Sequence, residues 1–519
     1  MSTPPEPPQE PADVAAPSPG TRPADADARQ LPRPRGRAPR VANLVYRDAH
    51  SDSRVLKTSA TLAAAGADVV IYGSARDRAG FPAGMTTTED GLRIHRAPDL
   101  VLARMFARTA RVWRRLRGRD PQGGELGHGS STSAPATTAS VPLTGTTAAG
   151  SAPTGTLATG APDPSASVPL TGTTTAVTTV TPADLLRDPR RLAAEVWMRT
   201  YQVGRLTYYW YGTLRAALPT RPDVVHANDG NTLVPALVLR ALAGTQIVYD
   251  AHELWTHRNV RPDRWLAPHV ERLIERVAAR QAAGVITVSP SIAAWMRREL
   301  RLPEDPVLVR NIPVYTGTPD PGVGRLRELT GLPAGARVVA YCGGITTGRG
   351  LEESVDALAL LPDDVHLVML GFGDRRYVDG LLQRAAGTGV RDRVHEAGAV
   401  PGPLVPQALA DADAAVVYVR PICLSYLYSL PNKLFESIHA GLPIVAADLP
   451  DTAALVRKHG VGEVFDARTP AELAEAITSV LAEPTAYREA ARATAPALDW
   501  RIEAGRLVDL YARVLGRAR

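Results

Sequence analysis

Cysteine is nearly absent: Cys342 and Cys423 are the only two in 519 residues. Two thiols build no disulfide framework and their separation matches no metal-binding spacing, so free thiols in a reducing cytoplasm are expected, with no metal and no cofactor. Nowhere does an apolar run approach the ~18 residues that a spanning helix needs. An apolar leader is lacking too, since the first forty residues carry eleven prolines instead, and no secretory signal is expected there. A cytoplasmic protein follows, any membrane contact being peripheral, at the inner face. No nucleic-acid-binding motif is present. The net charge of +6 and pI near 9.4 come largely from arginines in two short segments, so nucleic acid is not an expected partner. What the chain does have is 45% hydrophobic content and length enough for two ordinary domains with tails.

Residues 1–40, ending in Arg33-Pro34-Arg35-Gly36-Arg37, bury too little apolar surface to offset chain entropy, and a disordered tail is expected. From Val41 the pattern turns to β/α alternation: Val41 to Tyr46 as a strand, Asp52 as a cap, Arg54 to Ala65 as a helix, Asp68 to Tyr72 as a strand. A low-complexity insert over 120–181 interrupts it and contains Ser140 to Thr147 repeated at Ser167 to Thr174. It reads as a flexible linker on a domain surface; a glycosylated stalk fits the composition but not the missing leader. Alternation resumes with Val224 to Ala227, Gln246 to Asp250 and Val285 to Ser289, closing a first domain at 41–300. A second, 301–499, has apolar runs at Val338 to Cys342, His366 to Leu370, Ala414 to Tyr418 and Ile444 to Ala447. Short continuous runs between helical stretches predict two doubly wound parallel sheets, an α/β fold. A final helix over 500–519 is expected to return to the first domain.

The densest chemistry lies in Ser429-Leu430-Pro431-Asn432-Lys433-Leu434-Phe435-Glu436, followed by Ala440-Gly441-Leu442-Pro443-Ile444-Val445-Ala446. Ser429 is a candidate cap and Pro431 sits where a helix tolerates proline. Lys433 and Glu436 share a face at i, i+3, and Asn432 neighbours Glu436 at i, i+4. Free amides, the positive end of the dipole and an ammonium favour a phosphate at such a helix start, while a carboxylate one turn in accepts hydrogen bonds from two ribose hydroxyls. These eight residues alone equally describe a capped helix with a solvated ion pair. The segment resembles the donor motif of the family-4 retaining glycosyltransferases, in which a Glu precedes "xxxAGxPV". The resemblance implies a GT-B fold, two Rossmann-like domains about a cleft, and sugar transfer from a nucleotide-diphosphate sugar. It makes Glu436 the ribose ligand and Lys433 a diphosphate ligand beside Asn432. The family usually has a second Glu eight positions earlier, where Tyr428 stands; a subset carries "SLPNKLFE", so a variant donor pocket including Tyr428 is expected.

Gly343-Gly344-Ile345-Thr346-Thr347-Gly348-Arg349-Gly350 follows an apolar run, and such a loop lets backbone amides approach a diphosphate while Arg349 supplies a fixed charge. Arg349 takes the family's Lys position. Gly371 and Gly373 resemble its "GxG" turn; they either pack against the nucleotide or form a plain type II turn. Val400, in Gly398-Ala399-Val400-Pro401, resembles the loop whose backbone meets the base. The resemblance places His252 against the transferred sugar, where the residues alone allow a histidine satisfying a strand end. Catalysis is then expected from Arg349, Lys433 and helix amides stabilising the departing diphosphate, with His252 in the cleft. Asp229 and Asp52 follow strands and either touch the acceptor, a glycan or lipid-linked molecule, or cap helices. Arg104 to Arg119 holds seven arginines on an apolar stripe. It reads as an interfacial helix on an anionic membrane surface or as a core-facing helix with a basic side. A nucleotide-sugar epimerase of the same fold and a non-catalytic assembly protein are the rival functions.

Overall fold

Runs such as Val338 to Cys342 lack polar alternation, so both faces of each strand need cover. The computed structural model, which describes residues 30–76, 80–100, 189–259 and 267–517, gives them that cover in two parallel sheets. Residues 1–29, the basic segment Arg104 to Arg119 and the insert 120–181 lie outside the described residues.

The first sheet contains β1 (Arg40–Leu44), β2 (Asp68–Ser74), β3 (Gly84–Thr87), β4 (Arg93–Ala97), β5 (Val224–Asn228), β6 (Gln246–Ala251), β7 (Gly284–Thr287) and β8 (Val307–Leu308). Their order is β3-β4-β2-β1-β5-β6-β7-β8. Among the described strands only β3 runs antiparallel to its neighbour. The second sheet, wholly parallel, contains β9 (Arg337–Cys342), β10 (Val365–Leu370), β11 (Val394–Gly398), β12 (Ala414–Val417), β13 (Ile444–Ala447) and β14 (Gly462–Phe465), ordered β11-β10-β9-β12-β13-β14. Alternate residues of β9 serve opposite cores: Val339 and Tyr341 on one face, Val338, Ala340 and Cys342 on the other. In each sheet the strand order reverses once near the middle, between β1 and β5 and between β9 and β12. Open α/β sheets bind ligands beyond the carboxyl ends at such points.

The chain crosses from one sheet to the other after β8, where Val309 belongs to the first core and Ile312 to the second. It returns through the helix Trp500–Arg517, whose Leu507, Tyr511, Val514 and Leu515 pack against Val41, Val224, Val248 and Ile286. Trp500 Nε1 donates to Thr61 Oγ1 at 3.1 Å and Tyr511 Oη lies 2.9 Å from His226 Nδ1. Among the described residues no helix is long and apolar enough to cross a membrane.

Three expectations change. The tail does not extend to residue 40: Leu31 is buried against Val41 and Leu62, and its N–H donates to the Ala65 carbonyl at 2.9 Å. An apolar side chain beside a proline run found a neighbour that composition does not reveal. The first sheet continues past 300, since β8 pairs with β7. Strands β3, β4, β11 and β14 were not anticipated, because sequences such as Gly84-Met85-Thr86-Thr87 and Val394-His395-Glu396-Ala397-Gly398 are half-exposed and carry no apolar run.

Gly350 fixes where the loop after β9 turns into the helix Leu351–Leu358. Its φ is +68°, and a Cβ there would lie 2.1 Å from the Tyr418 ring. Gly350→Ala therefore combines backbone strain with overpacking, and we expect a loss of about 2 kcal/mol in urea unfolding. A change within about 0.5 kcal/mol, the range of neutral surface substitutions, would contradict this packing.

Candidate functional site

The carboxyl ends of the two sheets face a common cavity of about 400 Å³. From the second sheet come Tyr341, Cys342, Gly343 and Gly344 at the end of β9, then Arg349, then Ser429 to Lys433 and Glu436 around the start of the helix Asn432–His439. From the first come Asp52, Arg54, His252 and Glu253. Leu434, Phe435 and Ile438 of that helix are buried in the second core, which aims its opposite face at the cavity.

Lys433 is the least conventional group. It is 6% exposed, and its ammonium has no hydrogen-bond partner among the described residues. Its Nζ instead stands 3.6 Å from the centroid of the Tyr341 ring, whose hydroxyl donates to the Gly344 carbonyl at 2.6 Å. Burial, and then repulsion from Arg349, bring its pKa down to about 7. Arg349 lies 5.0 Å from the centroid of the Tyr426 ring and makes no ion pair with a described carboxylate. Two cations thus converge on one cavity. Glu436 sits beneath them, its carboxyl pKa raised by burial, and accepts from the Cys342 thiol at 3.5 Å. Lys57, donating to the Ile312 carbonyl at 2.6 Å, also acts on Glu436 from the first domain.

Opposite lies a chain of charge. Asp250, at 1% side-chain exposure, takes both Arg54 Nε and Nη2, at 2.9 and 2.6 Å, and meets His226 Nε2 at 3.2 Å. Burial works against its ionisation, but Arg54 and then His252 hold its pKa well below the ordinary carboxylate range. The His252 ring is bracketed, Nδ1 3.5 Å from Asp229 and Nε2 3.6 Å from Asp250 and 3.1 Å from Asn228 Oδ1. Burial disfavours the imidazolium, yet Asp229 and Asp250 together lift its pKa to about 9. Asp229 also accepts from the His252 amide at 3.0 Å, and its backbone is held at φ 55°, a conformation that costs a non-glycine residue about 1–3 kcal/mol. A positively charged imidazolium therefore faces the cavity at neutral pH.

Two family models match this chain: "Glycosyl transferases group 1" over residues 336–483 and "Glycosyl transferase 4-like domain" over 156–312, together more than half of its length. The chain belongs to the GT4-type glycosyltransferases. Its relatives include the D-inositol 3-phosphate glycosyltransferase of Xylanimonas cellulosilytica, 31% identical over 37% of this chain and 46% of that protein. The phosphatidyl-myo-inositol mannosyltransferase of Mycobacterium leprae is 26% identical over 56% of this chain and 74% of that protein. The chain thus spans about half the length of the first of these and three-quarters of the second. Sucrose-phosphate synthase from Thermosynechococcus elongatus has the same GT-B fold, with TM-score 0.60 at 17% identity, over 93% of this chain and 100% of that one.

In this member of the family Asp52, His252, Gly343, Gly344, Arg349, Asn432, Lys433 and Glu436 line one cavity. Asp52 also caps its helix, accepting from the Val55 amide at 3.2 Å. Asp229 caps no helix with its side chain and holds His252 instead. Four residues expected at the donor are not among those that line this cavity. Gly371 and Gly373 pack on the loop after β9: a Cβ on Gly371 would lie 1.9 Å from the Gly343 carbonyl oxygen, and Gly373 bridges Ile345. They permit loop to lie on loop. Val400 packs on the second core. Tyr428 packs on the first-domain core with Leu424, and its carbonyl accepts from Ser289 Oγ at 2.7 Å; Tyr426 lines the cavity in its stead. The short helix Leu424–Leu427 rotates these two tyrosines to opposite sides. Ser429 is no cap, for the helix starts one residue after Pro431 and the serine donates to the Tyr426 carbonyl at 2.8 Å. Arg54, Tyr341 and Glu253 carried no motif; only their position after strands or at a helix start pointed to the site.

Asp229→Asn keeps the shape but removes one of the two charges that hold the imidazolium. Because the folded-state pKa is raised, the stabilisation is complete below the ordinary histidine range and is lost as pH rises through about 9. We expect the variant to be about 1–2 kcal/mol less stable than wild type at neutral pH. The difference should close above pH about 9 in paired denaturation curves; a pH-independent difference would contradict the assignment.

Proposed function

We propose that the protein is a retaining, metal-independent glycosyltransferase that moves a sugar from a nucleotide-diphosphate sugar to a glycan, lipid-linked or small-molecule acceptor in cell-envelope or exopolysaccharide synthesis. One observation carries the reading: a buried ammonium, Lys433, with no hydrogen-bond acceptor among the described residues, and a second cation, Arg349, on the same cavity. An unpaired buried cation costs several kcal/mol, and an anion removes that cost. A diphosphate of two or more negative charges matches the pair, with the amides of Gly343, Gly344 and the helix start completing its shell. Glu436, one turn in from Lys433, takes the ribose hydroxyls. The names of the relatives support an acceptor rich in hydroxyls.

In this reading the sugar lies between the diphosphate and His252. As the bond from the anomeric carbon to the diphosphate breaks, its electron pair leaves with the diphosphate, and Arg349 and Lys433 neutralise the growing charge. These two side chains supply the charge that a metal would otherwise bring. The His252 imidazolium, its ring nitrogens turned to Asn228 and Asp229, sets a fixed positive charge against the sugar. Front-face attack by the acceptor hydroxyl, its oxygen bonding the anomeric carbon as its proton passes to the departing diphosphate oxygen, keeps the anomeric configuration. An epimerase of this fold would convert the nucleotide sugar with no acceptor present, and an assembly protein would bind without turnover.

Incubation with a panel of nucleotide sugars and membrane extract, following nucleotide release and sugar incorporation, tests the reading. Lys433→Ala and Glu436→Ala are expected to lower turnover at least ~100-fold, the scale of losing one charge-stabilising contact; unchanged turnover would remove the donor assignment. Lys433 also predicts a pH dependence. With its pKa lowered to about 7 in the empty cavity, the side chain must take up a proton to meet a diphosphate at higher pH. Nucleoside diphosphate affinity should therefore weaken as pH rises above about 7, with proton uptake in calorimetry, and Lys433→Arg should flatten the profile.

A further inference from the structure

A second cavity of about 430 Å³ adjoins the first, and Glu253 and Tyr426 line both. Its charge is one-sided: Arg47, Arg76, Arg205 and Arg258 surround it, against one carboxylate, Glu253. Two of the four are answered elsewhere, Arg205 by Asp99 at 3.0 Å and Arg258 by Glu271 at 3.8 Å. Arg47 and Arg76 ion-pair with no described carboxylate. They follow β1 and β2, adjacent parallel strands, so both stand at the carboxyl edge of the first sheet. Glu253, at the junction of the two cavities, makes no hydrogen bond or ion pair among the described residues.

We propose that this second cavity binds the acceptor and that the acceptor carries a phosphate, held by Arg47 and Arg76, with its reacting hydroxyl turned toward Glu253. The inference rests on the donor reading above for the direction of the hydroxyl. Two planar guanidinium forks present more N–H donors than a carboxylate has oxygens to accept, whereas a phosphate offers an oxygen pair to each. A neutral glycan would leave both forks facing nothing but water. Glu253 is the one acceptor-only group at the place where a hydroxyl must meet the anomeric carbon. The same phosphate chemistry is found on a soluble sugar or cyclitol phosphate and on a lipid-linked acceptor.

The test is calorimetric titration of the full chain, in saturating UDP or GDP, with myo-inositol 1-phosphate and glucose 6-phosphate against their unphosphorylated parents. A second arm uses phosphatidylcholine vesicles with and without undecaprenyl phosphate. We expect at least one phosphorylated probe to bind at least about 10-fold more tightly than its parent, the scale of a hydrogen bond to a charged group. Arg47→Ala with Arg76→Ala should abolish that preference and leave nucleoside diphosphate binding intact. Preference among the soluble probes assigns a soluble acceptor, and preference confined to the vesicles assigns a lipid-linked one. Equal binding of phosphorylated and neutral probes in both arms, or a preference that survives the double variant, overturns the proposal. Repeating the titrations with Lys433→Ala reads the second cavity independently: loss of nucleotide binding there with the phosphate preference retained separates failure at one site from failure at the other.

Discussion

A carboxylate shut away from water at the end of a central strand has to be surrounded by hydrogen-bonding partners, and in this protein much of the first domain is arranged to do that for Asp250. Arg54 arrives from the first helix, His226 from β5, and His252 from the turn that follows Asp250 itself. Removing one partner from such a buried cluster costs about 3–5 kcal/mol, far more than a surface ion pair. The cluster therefore sets both the register of β5 beside β6 and the direction in which His252 points. A strained Asp229 is tolerated because it closes the same circuit from outside.

The second domain solves a different problem. Its site holds the Lys433 ammonium with no hydrogen-bond partner among the described residues, against the face of Tyr341 and near Glu436. An aromatic face steadies an ammonium weakly, so the cavity keeps a demand for negative charge that only a ligand fills. The His252 imidazolium on one wall and the cations Arg349 and Lys433 on the other give the space between them a polarity suited to a leaving group that gains negative charge as it departs.

Much of this order is legible in the sequence. Continuous apolar runs such as Val338 to Cys342 and Ile444 to Ala447 are strands because both faces are covered, and their alternation with helices gives the doubly wound sheets. Residues that follow strands, His252, Arg349 and Lys433 among them, face one cavity because parallel strands end on one edge. The edge strands are not legible, since half-exposed segments lose the apolar pattern. Nor is the pairing of Arg54 with Asp250, 196 residues apart, which nothing local announces. Tyr428 and Tyr426 show a third limit: two residues apart on one turn, they face different environments, and the rotation of a four-residue helix is set by packing.

The return of the helix Trp500–Arg517 to the first sheet bears on how the molecule is made. Trp500 meets Thr61 across 439 residues of chain, and the same helix covers Val41 and Val224 near the middle of the sheet. During synthesis that apolar face is formed before the second domain, and its cover is translated after it. The first domain therefore waits, half-lidded, through the synthesis of the second, until the helix Trp500–Arg517 arrives to cover it.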